Sequence, residues 1–340
     1  MPPNESPSAY HSPRSLIFAS TRDGVALPVI DVTDPRFAVP DDADSLARLF
    51  AQSTVEERRN RRLPNFIMRF LLRRAMKQSL ILRALFGGEA PFVDGVTTYL
   101  LKLGTELPAP YDSPMDKRVA ASPHLTLLRL RTQQVAKLLA DGLAPQLLKA
   151  KSAPLHLVNI AGGPAIDSMN ALILLRRHDG DLLRRPIVIH VLDRDDAGPF
   201  FGGNALAALM HDGAPLAGLK IDFRHRHYDW NTPELLGALL GEVNASGAIV
   251  AASSEGGLFE YGSDDAVVKN LTVLRTHRVG VVVGSVTSAD AGHRRRITAT
   301  RFKLHPRGLD GFAPLAGRGG WHIARSEPAQ ISDQALLAPA

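Results

Sequence analysis

The sequence predicts an α/β fold: a mostly parallel sheet that ends in an antiparallel strand pair, preceded by a mainly helical segment. Three observations predict it. After Pro154, short apolar runs alternate with helical patterns, as parallel βαβ units covered on both faces require. Near the C-terminus, two extended runs flank a helical stretch. Ahead of residue 150, by contrast, the periodic segments are almost all helical.

Residues 1–15 are rich in Pro and Ser and lack an apolar signal core, so they read as a disordered lead-in, and the cytoplasm is the expected location. Residues 16–19 and 25–32 form extended runs around a Thr21-Arg-Asp-Gly24 turn. Residues 41–62 read as a helix with acids early and bases late, which suits the macrodipole. Pro64 opens a second helix over residues 65–86, closed by Gly87-Gly88. It sets Phe66, Ile67, Phe70, Leu71, Ile81 and Leu85 against Arg69, Arg73, Arg74, Lys77 and Arg83. Such a basic amphipathic helix can lie on a membrane surface, but packing on its own domain is the commoner arrangement and the one expected. Residues 93–103 read as a further helix, 107–122 as a Pro-containing loop, and 123–148 as a long helix.

Strands are then expected at residues 155–160, 187–192, 221–225, 248–252 and 279–284. The late pair is placed at 297–304 and 320–325, with a helix at 309–316 between them. Three parts follow: the lead-in 1–15, a helical segment 16–122, and an α/β domain 123–340.

Composition narrows the function. The chain has no cysteine, which excludes disulfides, thiolate metal sites and cysteine nucleophiles. No apolar run approaches the roughly 18 residues of a membrane span, so stable insertion is not expected. The net charge is +6, but the bases are dispersed except at residues 58–62, 69–77 and 294–296. That bias fits a solvated surface or a small anionic substrate better than a nucleic-acid track. Monomer and homodimer are both compatible with the sequence.

The most informative segment is Leu155-His-Leu-Val-Asn-Ile-Ala-Gly-Gly-Pro-Ala-Ile-Asp167. A buried strand runs into a small-residue turn and then a helix. Gly162 and Gly163 let a ligand approach the backbone, and the helix terminus offers free N–H donors. Alone, the glycine pair fits a structural turn as well as a ligand cradle. Two later acids favour the cradle. Asp193 ends the second strand, where a carboxylate can accept both ribose hydroxyls. Asp229 and Trp230 end the third, where one can bond an adenine amino group and the other cover its ring.

Asn159-Ile-Ala-Gly-Gly-Pro-Ala165 resembles the first motif of class I S-adenosylmethionine-dependent methyltransferases, acid-x-Gly-x-Gly-x-Gly. Asp193, Asp229 and the segment Ala248 to Glu255 resemble later motifs of that family, over about residue 123 to the C-terminus. The resemblance implies a seven-stranded Rossmann-like sheet with a C-terminal antiparallel pair. It also implies S-adenosyl-L-methionine as cofactor, held by Asn159, Ala161, Gly162, Gly163, Asp193, Arg194, Asp229, Trp230 and Ser253. Asn159 stands where the family has an acid, and Ala161 and Ala165 where it has glycines. Ser253-Ser-Glu-Gly-Gly-Leu-Phe-Glu-Tyr261 differs from the Asn/Asp-Pro-Pro-aromatic of base-amine enzymes, which points to a small-molecule acceptor under an N-terminal helical lid.

On the acceptor side, His293, Glu255 and Tyr261 are candidate catalytic residues, and Tyr99, His124, Arg131 and Glu260 candidate substrate contacts. Each has a plainer structural reading as well. His225 and His227 share one strand face but have no third partner, so no metal is expected. Two rivals remain. One is a nicotinamide oxidoreductase, whose Gly-x-Gly-x-x-Gly is missing here; the other is a protein that keeps the fold and only binds.

Overall fold

The turn at Thr21 to Gly24 forms as read. Gly24 sits at φ +79° and donates to Thr21 O, so β1 (Phe18–Ser20) pairs antiparallel with β2 (Ala26–Pro28). The computed structural model describes residues 15–61, 65–87, 93–290 and 302–340. The lead-in's residues 1–14 therefore lie outside the described residues. Helices α1 (Ala43–Arg61), α2 (Asn65–Met76), α3 (Leu80–Gly87), α4 (Gly95–Leu100), α5 (Pro114–Ala120) and α6 (Pro123–Lys149) follow.

Two expectations are corrected in this region. The single helix over 65–86 is two helices, because Ser79 is buried and caps the start of α3. Its Oγ accepts from Leu82 N (3.0 Å) and donates to Asp116, which also accepts from Ile81 N (3.0 Å). The loop over 107–122 contains α5, capped by Ser113, whose Oγ accepts from Asp116 N, with Pro114 opening the helix.

From Leu155 the alternation becomes a sheet. Strands β3 (Leu155–Ile160), β4 (Ile187–Asp193), β5 (Ile221–His227), β6 (Ile249–Ser254) and β7 (Val281–Thr287) are parallel. Strands β8 (Trp321–Pro328) and β9 (Ser332–Pro339) close the sheet antiparallel, in the order β5-β4-β3-β6-β7-β9-β8. This is a Rossmann-like seven-stranded, mostly parallel sheet with a C-terminal antiparallel pair. The pair, however, is not the one read from sequence. Residues 297–301 lie outside the described residues, Phe302 to Arg307 are irregular, and β9 comes from the unread stretch Ser332–Pro339.

Both sheet faces are covered. Leu157, Ile189, Val191, Ala251 and Val283 pack on one side with α6, α7 (Ile166–His178) and α8 (Ala197–Met210). Val158, Leu192, Val250, Ala252 and Val282 pack on the other with α9 (Glu234–Asn244), α11 (Asp264–Thr276) and α12 (Gly308–Arg318); α10 (Leu258–Tyr261) is a single turn after β6. Leu27, Val29, Ile30, Phe37, Ile81 and Tyr99 join the first layer, so the N-terminal segment shares a core with the sheet. No helix among the described residues is long and apolar enough to cross a membrane.

Candidate functional site

The carboxyl ends of β3, β4, β5 and β6 lie on one sheet edge, with β3 at the point where the chain winds in both directions. Such a switch point is where open α/β sheets leave a crevice. The turn after β3 is tightly wound: Ala161, Gly163 and Ala165 all have left-handed φ, at 54°, 57° and 54°. For alanine this costs about 1–2 kcal/mol per residue, so surrounding contacts must hold it.

Asn159, fully buried, supplies several of those contacts. Its Oδ1 accepts from Gly162 N (3.0 Å), and its Nδ2 donates to Asp167 Oδ1 (2.8 Å) and Ser253 Oγ (3.3 Å). A Cβ on Gly162 would collide with the Asn159 side chain, which is why glycine stands there. Asp167 opens α7; its Oδ2 is buried without a hydrogen-bond partner, as is Ser168 Oγ. Burial raises the Asp167 pKa to about 6, although the Ser253 hydroxyl pulls it down.

Asp193 draws the first two loops together. Its Oδ2 accepts from Gly163 N (2.9 Å) and its Oδ1 from Asp195 N (2.9 Å). Burial raises its pKa, and those amides oppose the shift. Its backbone carbonyl accepts from Tyr228 N (3.1 Å), next to Asp229, and lies 3.1 Å from His225 Nε2. Asp229 accepts from Asn231 N and Nδ2, which holds its carboxyl below the usual range. Arg194 is exposed, and Trp230 is half-buried beside the second core layer. The structure thus brings together Asn159, Ala161, Gly162, Gly163, Ser253 and Asp193, with Asp229 and Trp230 on the adjoining loop.

A third element reaches the same turn. Gly95 starts α4, and its N–H donates to Asp195 Oδ2 (3.0 Å), which also accepts from Gly198 N (3.1 Å). Gly95, Gly163 and Gly198 meet backbone to backbone. A Cβ on Gly163 would lie 3.0 Å from Gly95 Cα, and one on Gly95 2.9 Å from Gly198 Cα. The open face of Gly163 is therefore covered by α4.

The β6 side is charged and buried. Lys102 Nζ and Arg131 Nε (2.5 Å) both bond Glu255, and Arg131 Nη1 bonds Glu260 (3.1 Å). All four residues are buried. Burial would raise Glu255, but Arg131 and Lys102 outweigh it and lower the pKa to about 2; for Glu260 burial prevails and the pKa rises. Tyr261 is half-buried, and burial raises its phenol.

The remaining candidates lie elsewhere. Tyr99 is 1% exposed; its hydroxyl donates to Pro28 O (2.5 Å), accepts from Ile30 N (2.9 Å), and its ring packs on Phe201. It ties β2 to the core. His124 is half-buried in the first turn of α6, and His293 lies outside the described residues. Among the described residues, no group of three or more His, Cys, Asp or Glu side chains could hold a metal ion.

Neither a protein-family model nor a curated protein sequence matches the chain. Among solved structures, it is similar to a possible exported protein from Bordetella parapertussis. The identity is 17% over 87% of this chain and 96% of that one, with a TM-score of 0.52, which is a likeness of fold. Weaker likenesses are to N,N-8-amino-8-demethyl-D-riboflavin dimethyltransferase from Streptomyces davawensis (12% identity, 67% and 60% covered, TM-score 0.37). A further one is to the neocarzinostatin-biosynthesis O-methyltransferase solved with S-adenosylmethionine and a naphthoic acid (16%, 68% and 63%, 0.37).

Four residues at this edge escape sequence reading. Asp195 lies in the visible acidic run Asp193-Arg-Asp-Asp196, and Asp167 closes the glycine segment, so both were within reach. Gly95 and Lys102 carry no local signal; only tertiary packing brings α4 to the turn.

Proposed function

We propose that this chain is an S-adenosylmethionine-dependent methyltransferase acting on a small-molecule acceptor, with residues 123–340 as catalytic domain and 16–122 as the acceptor-side cover. The observation that carries the reading is the turn after β3: three left-handed positions, two of them alanine, bonded through Gly163 to the carboxylate ending β4. Backbone strain of this kind persists at ligand clamps.

The residues fit the cofactor. Asp193 would take the ribose hydroxyls, Asp229 the adenine amino group and Trp230 the ring face, with Arg194 beside them. Gly162, Gly163 and Ser253 would line the amino-acid end. Asn159 brings no charge there, but Asp167, bonded to it, has a carboxylate oxygen without a hydrogen-bond partner. That oxygen can neutralise an ammonium. When bound, the cofactor supplies a methyl group on a sulfonium. The chain's task is to align the acceptor and exclude water.

Glu255, doubly bridged with a pKa of about 2, is a poor proton acceptor and serves better to fix Lys102 and Arg131. Glu260, its pKa raised, is the better base, with Tyr261 next to it in sequence. His124 and His293 keep the acceptor-side roles read from the sequence.

A specific observation favours a second reading, a non-catalytic protein of the same fold: Gly95 covers Gly163. Under the methyltransferase reading, α4 must draw back for the amino-acid end of the cofactor to reach Gly163. Calorimetry with S-adenosylmethionine and with NADPH separates the alternatives. We expect the sulfonium compound to bind, and Asp193→Ala to weaken it at least about tenfold by losing charge-assisted hydrogen bonds. NADPH binding selects an oxidoreductase, and binding of neither compound selects the non-catalytic protein.

A further inference from the structure

Residues 58–88 contain nine bases and no acid, more positive charge than the chain's net of +6, so the rest of the protein is net negative. Within this stretch, α2 presents Phe66 at 73%, Phe70 at 66% and Leu71 at 45% exposure, and Phe86 in α3 adds 38%. Phe66, Phe70, Arg73, Arg74 and Lys77 follow helical spacing and share one face. Arg73, Arg74, Lys77 and Arg83 are exposed, and the first three make no ion pair among the described residues. The opposite side, with Met68, Leu72, Ala75 and Met76, is half-buried, and Ile81 with the Ser79–Asp116 bond anchors α3. The expectation that this helix turns its apolar residues onto its own domain thus holds for only part of them.

We infer that the α2–α3 segment docks the protein on an anionic lipid surface. Lone exposed apolar residues are ordinary, but several large ones on one short helix form a patch that water does not favour. Phenylalanine and leucine suit the boundary between headgroups and acyl chains, while adjacent arginine and lysine suit lipid phosphates. A duplex phosphate track would use the cations and leave the phenylalanines in water. A symmetric pairing of two copies through this face would set like charges against each other. The inference is independent of the reading of the β3 turn.

The test is co-sedimentation of the full chain with vesicles of phosphatidylcholine, with or without phosphatidylserine. The protein should pellet with the phosphatidylserine vesicles and stay in solution with the neutral ones. High salt should weaken the binding. Phe66→Ser/Phe70→Ser and Arg73→Gln/Arg74→Gln/Lys77→Gln, all at exposed positions, should keep the parent's circular dichroism and each bind at least about tenfold more weakly. Equal binding to both vesicle types, or variants that bind like the parent, would overturn the inference. So would absence of binding to the phosphatidylserine vesicles; a dimer in sedimentation velocity that Phe66→Ser/Phe70→Ser dissolves, or binding to a short RNA that the charge variant abolishes, would then name the occupant instead.

Discussion

Asp167 illustrates how burial sets the behaviour of one carboxyl group. Desolvation lifts its pKa to about 6, above the ordinary 3.8, with the Ser253 hydroxyl pulling the other way. The folded protein therefore holds this proton more tightly than the unfolded chain. Its contribution to stability is fully present below the unfolded value and is lost as pH rises through about 6. Asp167→Asn keeps an acceptor for Asn159 and removes the charge. It should abolish that decline and stabilise the cofactor-free protein by about 2–3 kcal/mol at neutral pH. Urea unfolding across pH checks this, and an unchanged slope would mean the carboxylate is solvated. If the unpartnered oxygen serves an ammonium, the same variant should also bind S-adenosylmethionine more weakly. Gain of stability with loss of binding is the pattern of a group kept for function.

Among the elements, the ones legible in sequence are those whose pattern is local. The β3–turn–α7 unit shows because an apolar run, two glycines and a helix start stand side by side, and the five parallel strands show as short apolar runs between helical patterns. The β9 strand did not show, since Ala-Leu-Leu-Ala lacks the alternation that marks an edge pair, and its partners are supplied by β7 and β8. In the site, Asp193 was legible as a strand-end acid, whereas the Gly95 contact depends on how α4 packs. The break between α2 and α3 is likewise decided at a distance, by Asp116 on Ser79 and Ile81. Asp116→Ala would leave a buried hydroxyl and amide without their acceptor. We expect about 2 kcal/mol of destabilisation and faster hydrogen exchange across α3. Protection unchanged in α3 would show that some other group ends α2.

At the scale of the molecule, the N-terminal segment is joined to the sheet edge by more than apolar packing. Lys102, following α4, and Arg131, from α6, meet Glu255 and Glu260 beyond β6 in a buried cluster with two charges of each sign. Such a cluster is costly to desolvate, so its net worth is modest, but removing one member strands the others. Glu255→Gln should cost about 3–5 kcal/mol by leaving two buried cations underpaired. Adding Lys102→Met to Glu255→Gln should recover part of that loss, because one stranded cation is then gone. The depressed Glu255 pKa adds a sign: its stabilisation is present above the ordinary value of 4.5 and is lost as pH falls through about 2. Denaturant unfolding of the parent, the single variants and the double variant measures the coupling. Strictly additive losses would mean that the cluster does not act as one unit, and that apolar packing and the Gly95–Asp195 bond suffice to hold α4 over Gly163.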